Sequence, residues 1–591
     1  MISYIRSDLV IFGFGVLFFI ILTLWLIFRS LRWAILSFIS CLAAVLVMMG
    51  LLGLLDWRVT VISSNFISLM IIITISTTIH LIVRYRELCG RHRQWDQHAL
   101  LRETVRVKAI PCLFTTLTTI AAFSSLLVSS IRPVMDFGMM MSLGLFASLT
   151  LSFLLLPAGA MLLTREHGDH KKTPSFILYL AAVTETYGRQ ILGVSLLLAL
   201  FSGMGISKLI VENRFIDYFR PSTEIYRGLA TIDRELGGTT PLDVIIDFKE
   251  GFTQDFDEED ALFGLTEDPN DPKYWFKSDK LERIERLHDV LESLPETGTV
   301  LSIATLIKIV TRLNDDIPLD DFELAILYNR IPEAIKTVLV KPYVSFKRNQ
   351  TRISMRIRES DRNLDRATLL AKIRAFAENE MGLPAKQIHL TNMLVLYNNM
   401  LQSLFRSQIL TIGVVFFGIM IMFLMLFRSF YLAVIAIVPN LLPAAMVLGT
   451  MGWLAIPLDM MTITIAAITI GIAVDDTIHY IHRFKKEFEK DRNYMATVHR
   501  CHGTIGRAMF YTSFTIIMGF SILTISNFIP TVYFGLFTGF AMLAALLAAL
   551  TLLPQLIVIF KPFGPGAKNS AHTAHDGGRR HPPRHRPSAS G

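Results

Sequence analysis

The 591 residues are 52% hydrophobic and only 18% charged, with a mean hydropathy of +0.48. This composition is typical of a polytopic membrane protein with one sizeable soluble part, and it excludes a wholly soluble chain. The net charge of +8 comes largely from short basic loops between apolar segments. It therefore indicates membrane topology and argues against nucleic acid as a partner.

Eleven apolar segments are long enough to cross a bilayer and are predicted to be transmembrane helices. They lie at 9–28, 33–55, 59–83, 109–131, 134–163, 190–210, 408–427, 431–455, 459–482, 508–528 and 532–560. The loops 84–108 and 483–507 each hold seven Lys or Arg, which favours a cytoplasmic position for both. The polar segment 211–405 is then expected outside the membrane, and the C-terminus inside.

An internal repeat predicts the architecture of the membrane part. Matched pairs 399 residues apart, or 397 after a two-residue loop change, include Phe28 with Phe427, His80 with His479 and Pro157 with Pro554. The sequence therefore predicts two pseudo-symmetric five-helix repeats with one linking helix, and a working site where the repeats meet. Met1 aligns with Met400, so the first repeat lacks the helix and external domain that precede the second. We expect roughly two hundred further residues ahead of Met1, the alternative being a natural form without them.

The predicted domain order follows from these spans and from the repeat. It is a first five-helix repeat (1–165), a cytoplasmic linker (166–189), a transmembrane helix (190–210), an extracytoplasmic domain (211–405), a second five-helix repeat (406–562) and a disordered cytoplasmic tail (563–591). Within 211–405, alternating and helical patterns predict an α+β, ferredoxin-like domain. Its acidic stretch 255–271 could bind a cation, but a solvated loop is the simpler interpretation.

Two adjacent carboxylates, Asp475 and Asp476, lie within the apolar run 460–481. Each Asp near the centre of a membrane helix costs roughly 2.5–3.5 kcal/mol, and such residues normally mark an ion or proton route. His479 lies four residues after Asp475 and three after Asp476, so it is expected to share their helix face. Gly471, one turn before Asp475, allows a neighbouring helix to approach closely. The alternative is a polar cluster that only holds helices together.

The Gly-x-x-x-Asp-Asp motif at 471–476, in the third helix of a five-helix repeat, resembles the resistance–nodulation–division superfamily. The segments 213–219 and 236–242 are also similar to this group, and specifically to its MMPL-like bacterial exporters. Those share their repeat with Patched-like proteins and sterol-sensing domains. The resemblance implies a proton-driven exporter of hydrophobic or lipid-like substrates in the bacterial inner membrane. It also implies a homodimer or homotrimer, contact with membrane lipids and a possible periplasmic accessory protein.

The first repeat departs from many relatives because it offers hydroxyls and one imidazole, Ser76, Thr77 and His80, where an acid or base is common. We expect one asymmetric site, with Asp475, Asp476, His479 and Gly471 facing Ser76, Thr77 and His80. Further hydroxyls are candidates for a surrounding polar wall: Thr512, Ser513, Thr515, Thr115 and Thr116, with Thr118 and Thr119. Threonines in membrane helices often bond only to their own backbone, which is the simpler interpretation for each.

Enzyme motifs are absent from the sequence: it has no P-loop, no HExxH zinc motif and no nucleophile elbow. We therefore predict a protein that is not an enzyme, with no cofactor and no metal. The predicted function is a secondary transporter driven by the proton-motive force. The alternatives are a non-transporting lipid- or sterol-sensing scaffold and a Sec-accessory component of protein export.

Overall fold

The computed structural model describes residues 2–60, 63–165, 175–248, 275–361 and 364–565, with backbone only for 2–13, 64 and 325. The acidic stretch 255–271, most of the tail 563–591 and the first part of the linker 166–189 lie outside the described residues. What is described is a polytopic helical membrane protein that carries one small sheet domain.

The first repeat consists of five helices. They are α1 (Ile2–Phe28), α2 (Leu31–Leu54), α3 (Phe66–Arg91), α4 (Gln97–Ser124) and α5 (Arg132–Leu162). Two helices follow, α6 (Ser175–Thr186) and α7 (Gly188–Ile206). Because α4 begins in the basic loop after its cap Asp96, it is longer than the predicted span 109–131.

The sheet domain has the strand order β2-β4-β1-β5, with β3 paired to β4, and all pairs antiparallel. Its elements are α8 (Glu224–Glu235), β1 (Thr240–Asp247), α9 (Ser278–Ser293), β2 (Thr297–Leu301), α10 (Ile303–Leu313), α11 (Asp321–Arg330), α12 (Glu333–Leu339), β3 (Val344–Ser345), β4 (Gln350–Ile357), α13 (Arg366–Asn379) and β5 (Ile388–Thr391). Apolar residues at helical spacing on α9, among them Leu281 and Ile284, pack on the alternating inward residues of β4, such as Ile353. The β1-α9-β2-β4-α13-β5 order is the predicted ferredoxin-like arrangement.

The second repeat repeats the first. It consists of α14 (Met393–Phe427), α15 (Phe430–Trp453), α16 (Thr462–Phe488), α17 (Tyr494–Cys501), α18 (Arg507–Ser521), α19 (Ile529–Leu550) and α20 (Leu552–Phe560). A π-helical turn, His502–Gly506, joins α17 to α18, so the two form one membrane span. At 35 residues α14 is about 52 Å long, so its first turns extend beyond the membrane into the sheet domain.

Among the described residues, ten helical spans are long and apolar enough to cross a membrane. They correspond to ten of the eleven predicted segments. The eleventh, 9–28, falls in α1, whose fully described part is the shorter apolar stretch Phe14–Phe28. The two repeats pack crosswise, because α16 lies against α4 of the first repeat and α3 lies against α18 of the second. This crossing brings the third helix of each repeat to the interface.

Close packing of small residues joins α7 to α15. A Cβ atom added to Gly449 would lie 2.6 Å from the Cα of Ser202, and one added to Gly452 would lie 1.9 Å from the carbonyl oxygen of Gly205. Only glycine permits such an approach of two helices. Gly50, the repeat equivalent of Gly449 on α2, has open space where its Cβ would be.

Besides the first turns of α14, the sheet domain contacts the turn that follows α18. The Arg220 guanidinium donates to the carbonyl oxygen of Thr524 at 2.8 Å, and its backbone N–H donates to that of Asn527 at 3.2 Å. Phe219 forms an antiparallel bridge with Phe528. These acceptors belong to the turn that follows α18, so the domain is joined directly to the end of that span.

Candidate functional site

The apolar helix α16 is anchored at its N-terminal end by a buried carboxylate. The Asp459 Oδ1 accepts the backbone N–H groups of Met461 and Thr462, both at 2.7 Å, and so satisfies donors that would otherwise be unpaired at the first turn. From this start the helix runs through the interface between the repeats and carries both aspartates to its middle.

Asp475 faces the first repeat. The Ser76 hydroxyl donates to its Oδ2 at 2.8 Å, and the His80 Nε2 lies 3.6 Å from the same oxygen. The His479 Nε2 lies 3.3 Å from Oδ1. The two imidazole rings are in contact, with centroids 3.9 Å apart and planes tilted by 35°. One carboxylate is thus held jointly by residues of both repeats.

Asp476 faces a different neighbour. It is 3% exposed, and the Ser513 hydroxyl of α18 donates to its Oδ2 at 3.0 Å. Successive helix positions are about 100° apart, so two adjacent carboxylates point to different helices. His479 therefore pairs with Asp475 and not with both, which differs from the predicted shared face.

Gly471 is required by the packing of α16 on α4. A Cβ there would lie 2.4 Å from the Cβ of Ala122, and the Thr119 hydroxyl donates to the Gly471 carbonyl oxygen at 3.0 Å. This is the close approach predicted for Gly471, and it sets the distance between the two repeats.

The predicted polar wall is only partly assembled around the carboxylates. Ser76 and Ser513 reach them, whereas Thr77 is half-buried and makes no hydrogen bond among the described residues. Other predicted hydroxyls bond to carbonyls of their own helices, namely Thr115, Thr118, Thr512 and Thr515. Thr116 is buried without a hydrogen bond in the described part of the chain.

A buried amide next to the site was not predicted. Asn440 of α15 and Thr477 of α16 form two hydrogen bonds, with the amide donating at 3.1 Å and the hydroxyl donating at 3.2 Å. The amide also donates to the carbonyl oxygen of Ala436 at 2.8 Å. An Asn within an apolar helix is the sequence signal that could have found it.

Charged residues at the end of the interface where α3 and α16 terminate were also missed. A cavity of about 50 Å³ extends from His80 and His479 and is lined by Lys108, Arg84, Glu87 and Arg483, among others. Lys108 is 7% exposed and has no ion-pair partner among the described residues. In the sequence Lys108 is the last of seven Lys or Arg in the loop 84–108, directly before the predicted span 109–131. Nothing in that pattern distinguishes it from the other basic residues of the loop.

Glu87 closes this end of the interface. Its carboxylate pairs with Arg84 at 2.7 Å and Arg91 at 2.8 Å on its own helix, and with Arg483 of the second repeat at 3.3 Å. Arg84 and Arg483 are repeat equivalents, so a single acid bridges the two matching positions. An ion pair of this kind can open and close as the repeats move.

The imidazoles and the carboxylate of His80, Asp475 and His479 are side chains that can bind a metal ion. One ligand atom each from His80, Asp475 and His479 lies within 4.8 Å of the others, as in a site for Zn²⁺. Lys108 lines the cavity beside both imidazoles, and its positive charge opposes a divalent cation there. The arrangement therefore suits a proton or a hydrogen-bonded water better than a metal.

Comparisons with known proteins show the family and the fold of the chain. The model of the MMPL family matches residues 1–183 and 337–587. The membrane protein MJ1562 of Methanocaldococcus jannaschii is 23% identical over 376 residues, which cover 62% of this chain and 89% of the relative. The crystal structure of SecDF, a translocon-associated membrane protein from Thermus thermophilus, is similar at a TM-score of 0.56 and 13% identity.

The SecDF similarity covers 95% of this chain, which spans 62% of the SecDF chain, and at this identity it shows a shared fold alone. The family match extends over both membrane repeats, including the helices α3 and α16 that carry the aspartates and histidines. The protein is therefore a multi-pass membrane protein of the MMPL family.

Proposed function

We propose that the protein is a secondary transporter, driven by the proton-motive force, that exports hydrophobic or lipid-like substrates across the bacterial inner membrane. The observation that carries this proposal is Asp475, a carboxylate inside the membrane that is held by Ser76 and His80 of one repeat and His479 of the other. Its charge state therefore affects the contact between the repeats.

In the proposed cycle, ionised Asp475 accepts the Ser76 hydroxyl and attracts the two imidazoles, which favours the packing observed here. Protonation removes the negative charge and weakens these contacts, so the repeats can repack. Each proton that crosses 100 mV contributes about 2.3 kcal/mol, enough to bias such a two-state motion. The cavity lined by Lys108 and Glu87 provides the route to the cytoplasm.

In this proposal Asp476 couples proton binding to the domain that handles the substrate. It binds Ser513 of α18, and the turn after α18 holds Arg220 of the sheet domain. We place this domain, 211–405, outside the membrane and the C-terminus in the cytoplasm, because the basic loops lie at the opposite end of the helices. Repacking around Asp476 would thus move α18 and with it the domain that handles substrate. A homodimer or homotrimer and an external accessory protein remain part of this proposal.

The test is transport by the full chain in liposomes with an imposed pH gradient. Pyranine inside the vesicles reports proton movement, and a fluorescently labelled phospholipid serves as the cargo probe. Asp475→Asn and Asp476→Asn should each abolish proton-coupled movement, because Asn keeps the size and hydrogen bonds but carries no proton. Asp136→Asn, which changes an acid ion-paired to Arg132 outside the site, is the matched control.

Wild-type rates in both site variants would contradict the proposal and favour a non-transporting lipid- or sterol-sensing scaffold. A second candidate is a component of protein export, which the fold shared with SecDF supports. That candidate predicts the same loss of proton movement in the Asn variants, but with an unfolded precursor protein and not the phospholipid as the cargo that depends on the gradient.

A further inference from the structure

A second, larger cavity lies where α14 ends and α15 begins, at the end of the helices that we place in the cytoplasm. It measures about 610 Å³, within the roughly 300–1,000 Å³ range of small-ligand sites. Its apolar lining comes from four helices and from the segment directly after α20, and includes Ile110, Phe427, Leu432 and Phe563. Its polar lining includes Lys485 and Lys486 of α16 with His482 and Glu489.

The apolar wall is a fixed part of the fold. The Tyr494 hydroxyl accepts the backbone N–H of Phe563 at 3.3 Å and donates to the carbonyl oxygen of Gly564 at 2.8 Å. The Phe563 ring stacks on Phe484 with centroids 5.6 Å apart. These contacts hold the segment after α20 over the cavity.

The two lysines have no ion-pair partner in the described part of the chain. The neighbouring Lys490, by contrast, pairs with Glu487 at 2.6 Å. Glu489, the one acid lining the cavity, is not within 4 Å of either Lys485 or Lys486 as an ion pair. The cavity therefore presents two free positive charges beside an apolar surface.

The first repeat shows what fills the equivalent place. Arg86, which corresponds to Lys485 by the 399-residue shift, donates to the carbonyl oxygen of Phe28 at 3.2 Å and lies over the Phe28 ring at 5.8 Å. Phe427 corresponds to Phe28, and Lys485 makes neither contact with it. In the first repeat the Arg86 side chain thus covers Phe28. In the second repeat the equivalent position beside Phe427 is part of the cavity.

We infer that this cavity binds an anionic phospholipid of the cytoplasmic leaflet, with the phosphate between Lys485 and Lys486 and an acyl chain along Phe427 and Leu432. Basic side chains at the cytoplasmic membrane surface attract anionic lipids, and the apolar wall provides for the chain. The inference rests on the proposed topology. His482 and Lys486 also line the cavity that leads to His80, so a bound headgroup would lie beside the proton route.

The experiment is native mass spectrometry of the full chain in detergent, titrated with phosphatidylglycerol or with phosphatidylcholine of the same acyl chains. Phosphatidylglycerol should bind more tightly than phosphatidylcholine, and the double variant Lys485→Gln/Lys486→Gln should weaken phosphatidylglycerol binding about 30-fold. Binding of phosphatidylcholine should change less, because its choline cation offsets the phosphate charge. The matched control is Arg102→Gln/Arg106→Gln, which removes two exposed charges from α4 without touching the cavity.

A steric variant tests the acyl part separately. Ile110 is 56% exposed at the mouth, so Ile110→Trp should fold normally and weaken both lipids by narrowing the cavity. Unchanged phosphatidylglycerol binding in the double lysine variant would overturn the inference. Displacement of phosphatidylglycerol by excess inorganic phosphate would also overturn it, because the site would then recognise an anion without its chain. Since no readout here involves transport, these outcomes are independent of the proposed function.

Discussion

At the scale of single residues, the site depends on which hydroxyl reaches which carboxylate. Ser76 donates to Asp475 across the interface, while Thr77, the next residue, does not. Both hydroxyls are in the sequence, but a one-residue difference on a helix rotates a side chain by about 100°. The donor is therefore determined by how the two repeats are rotated against each other.

Ser76→Ala should slow proton-coupled transport about tenfold, because it removes one hydrogen bond to a buried charged group, worth roughly 1.5 kcal/mol at the low end of the range for such bonds. Thr77→Val, the matched loss of a neighbouring hydroxyl, should leave the rate within about twofold. Pyranine-reported proton flux in liposomes measures both. Equal effects of the two substitutions would show that Ser76 has no special role.

Outside the membrane, Asp233 makes an electrostatic contribution to folding that can be tested by pH. Burial alone would raise its pKa, but hydrogen bonds from Ser360, Thr239 and Glu359 outweigh burial and hold the pKa below the usual 3.8. The ionised form is thus favoured in the folded domain, so its stabilisation is complete above pH 3.8 and is lost as the pH falls through the lowered value.

Asp233→Asn should therefore lower the melting temperature by a constant amount between pH 5 and 8, and by less as the pH falls below about 4. Glu380→Gln, at an exposed acid, should change the melting temperature little at any pH. Thermal unfolding followed by tryptophan fluorescence gives both curves. A difference between Asp233→Asn and wild type that grows towards acid pH would contradict this assignment.

At the scale of helices, the two repeats have the same order of helices but different neighbouring helices packed against them. The α2 and α15 helices carry matching glycines, yet only α15 has α7 packed on them. Identical residues at equivalent positions thus have different neighbours among the described residues: Gly449 contacts α7, and nothing lies beside Gly50. The same substitution at Gly449 and at Gly50 therefore tests the contact with α7 against a matched control.

Gly449→Leu should reduce the yield and melting temperature of the folded protein, because its side chain would displace the backbone of α7 at Ser202. Gly50→Leu places the same side chain in open space on α2 and should be tolerated. Detergent-solubilised yield and thermal unfolding of the two variants provide the measurement. A similar loss in both would mean that helix propensity or lipid packing, and not the α7 contact, limits the position.

Sequence periodicity predicts helices and strands well here, because apolar runs of span length and a near-constant repeat shift leave few alternatives. The ferredoxin-like order and the close approach at Gly471 were predicted correctly. The expected contacts of Asp475 with Ser76 and His80 are also present. The ion pair between Glu87 and Arg483 was not predicted, because the two residues are 396 positions apart and nothing local pairs them. The same holds for Lys108, whose burial depends on α16 lying across α4.

At the scale of the whole molecule, topology is the simplest property to test. A cysteine placed at the exposed Ser278 should react with an impermeant thiol reagent in whole cells, while one at the exposed Arg102 should react only after the membrane is opened. The native Cys89 and Cys501 are buried and therefore uninformative on either side. Labelling of Arg102→Cys in intact cells, without Ser278→Cys, would reverse the orientation.

The separate partners of Asp475 and Asp476 bear on the energetics of pumping. If only one carboxylate exchanges a proton in each cycle, a potential of 100 mV supports a substrate gradient of about 50-fold. If both carboxylates exchange a proton in each cycle, the free energy available for each substrate molecule doubles. The largest substrate gradient that can be supported then rises to about 2,500-fold. Two neighbouring acids that bind different helices could thus set how steep a concentration difference the cell can maintain, and not only how quickly it is built.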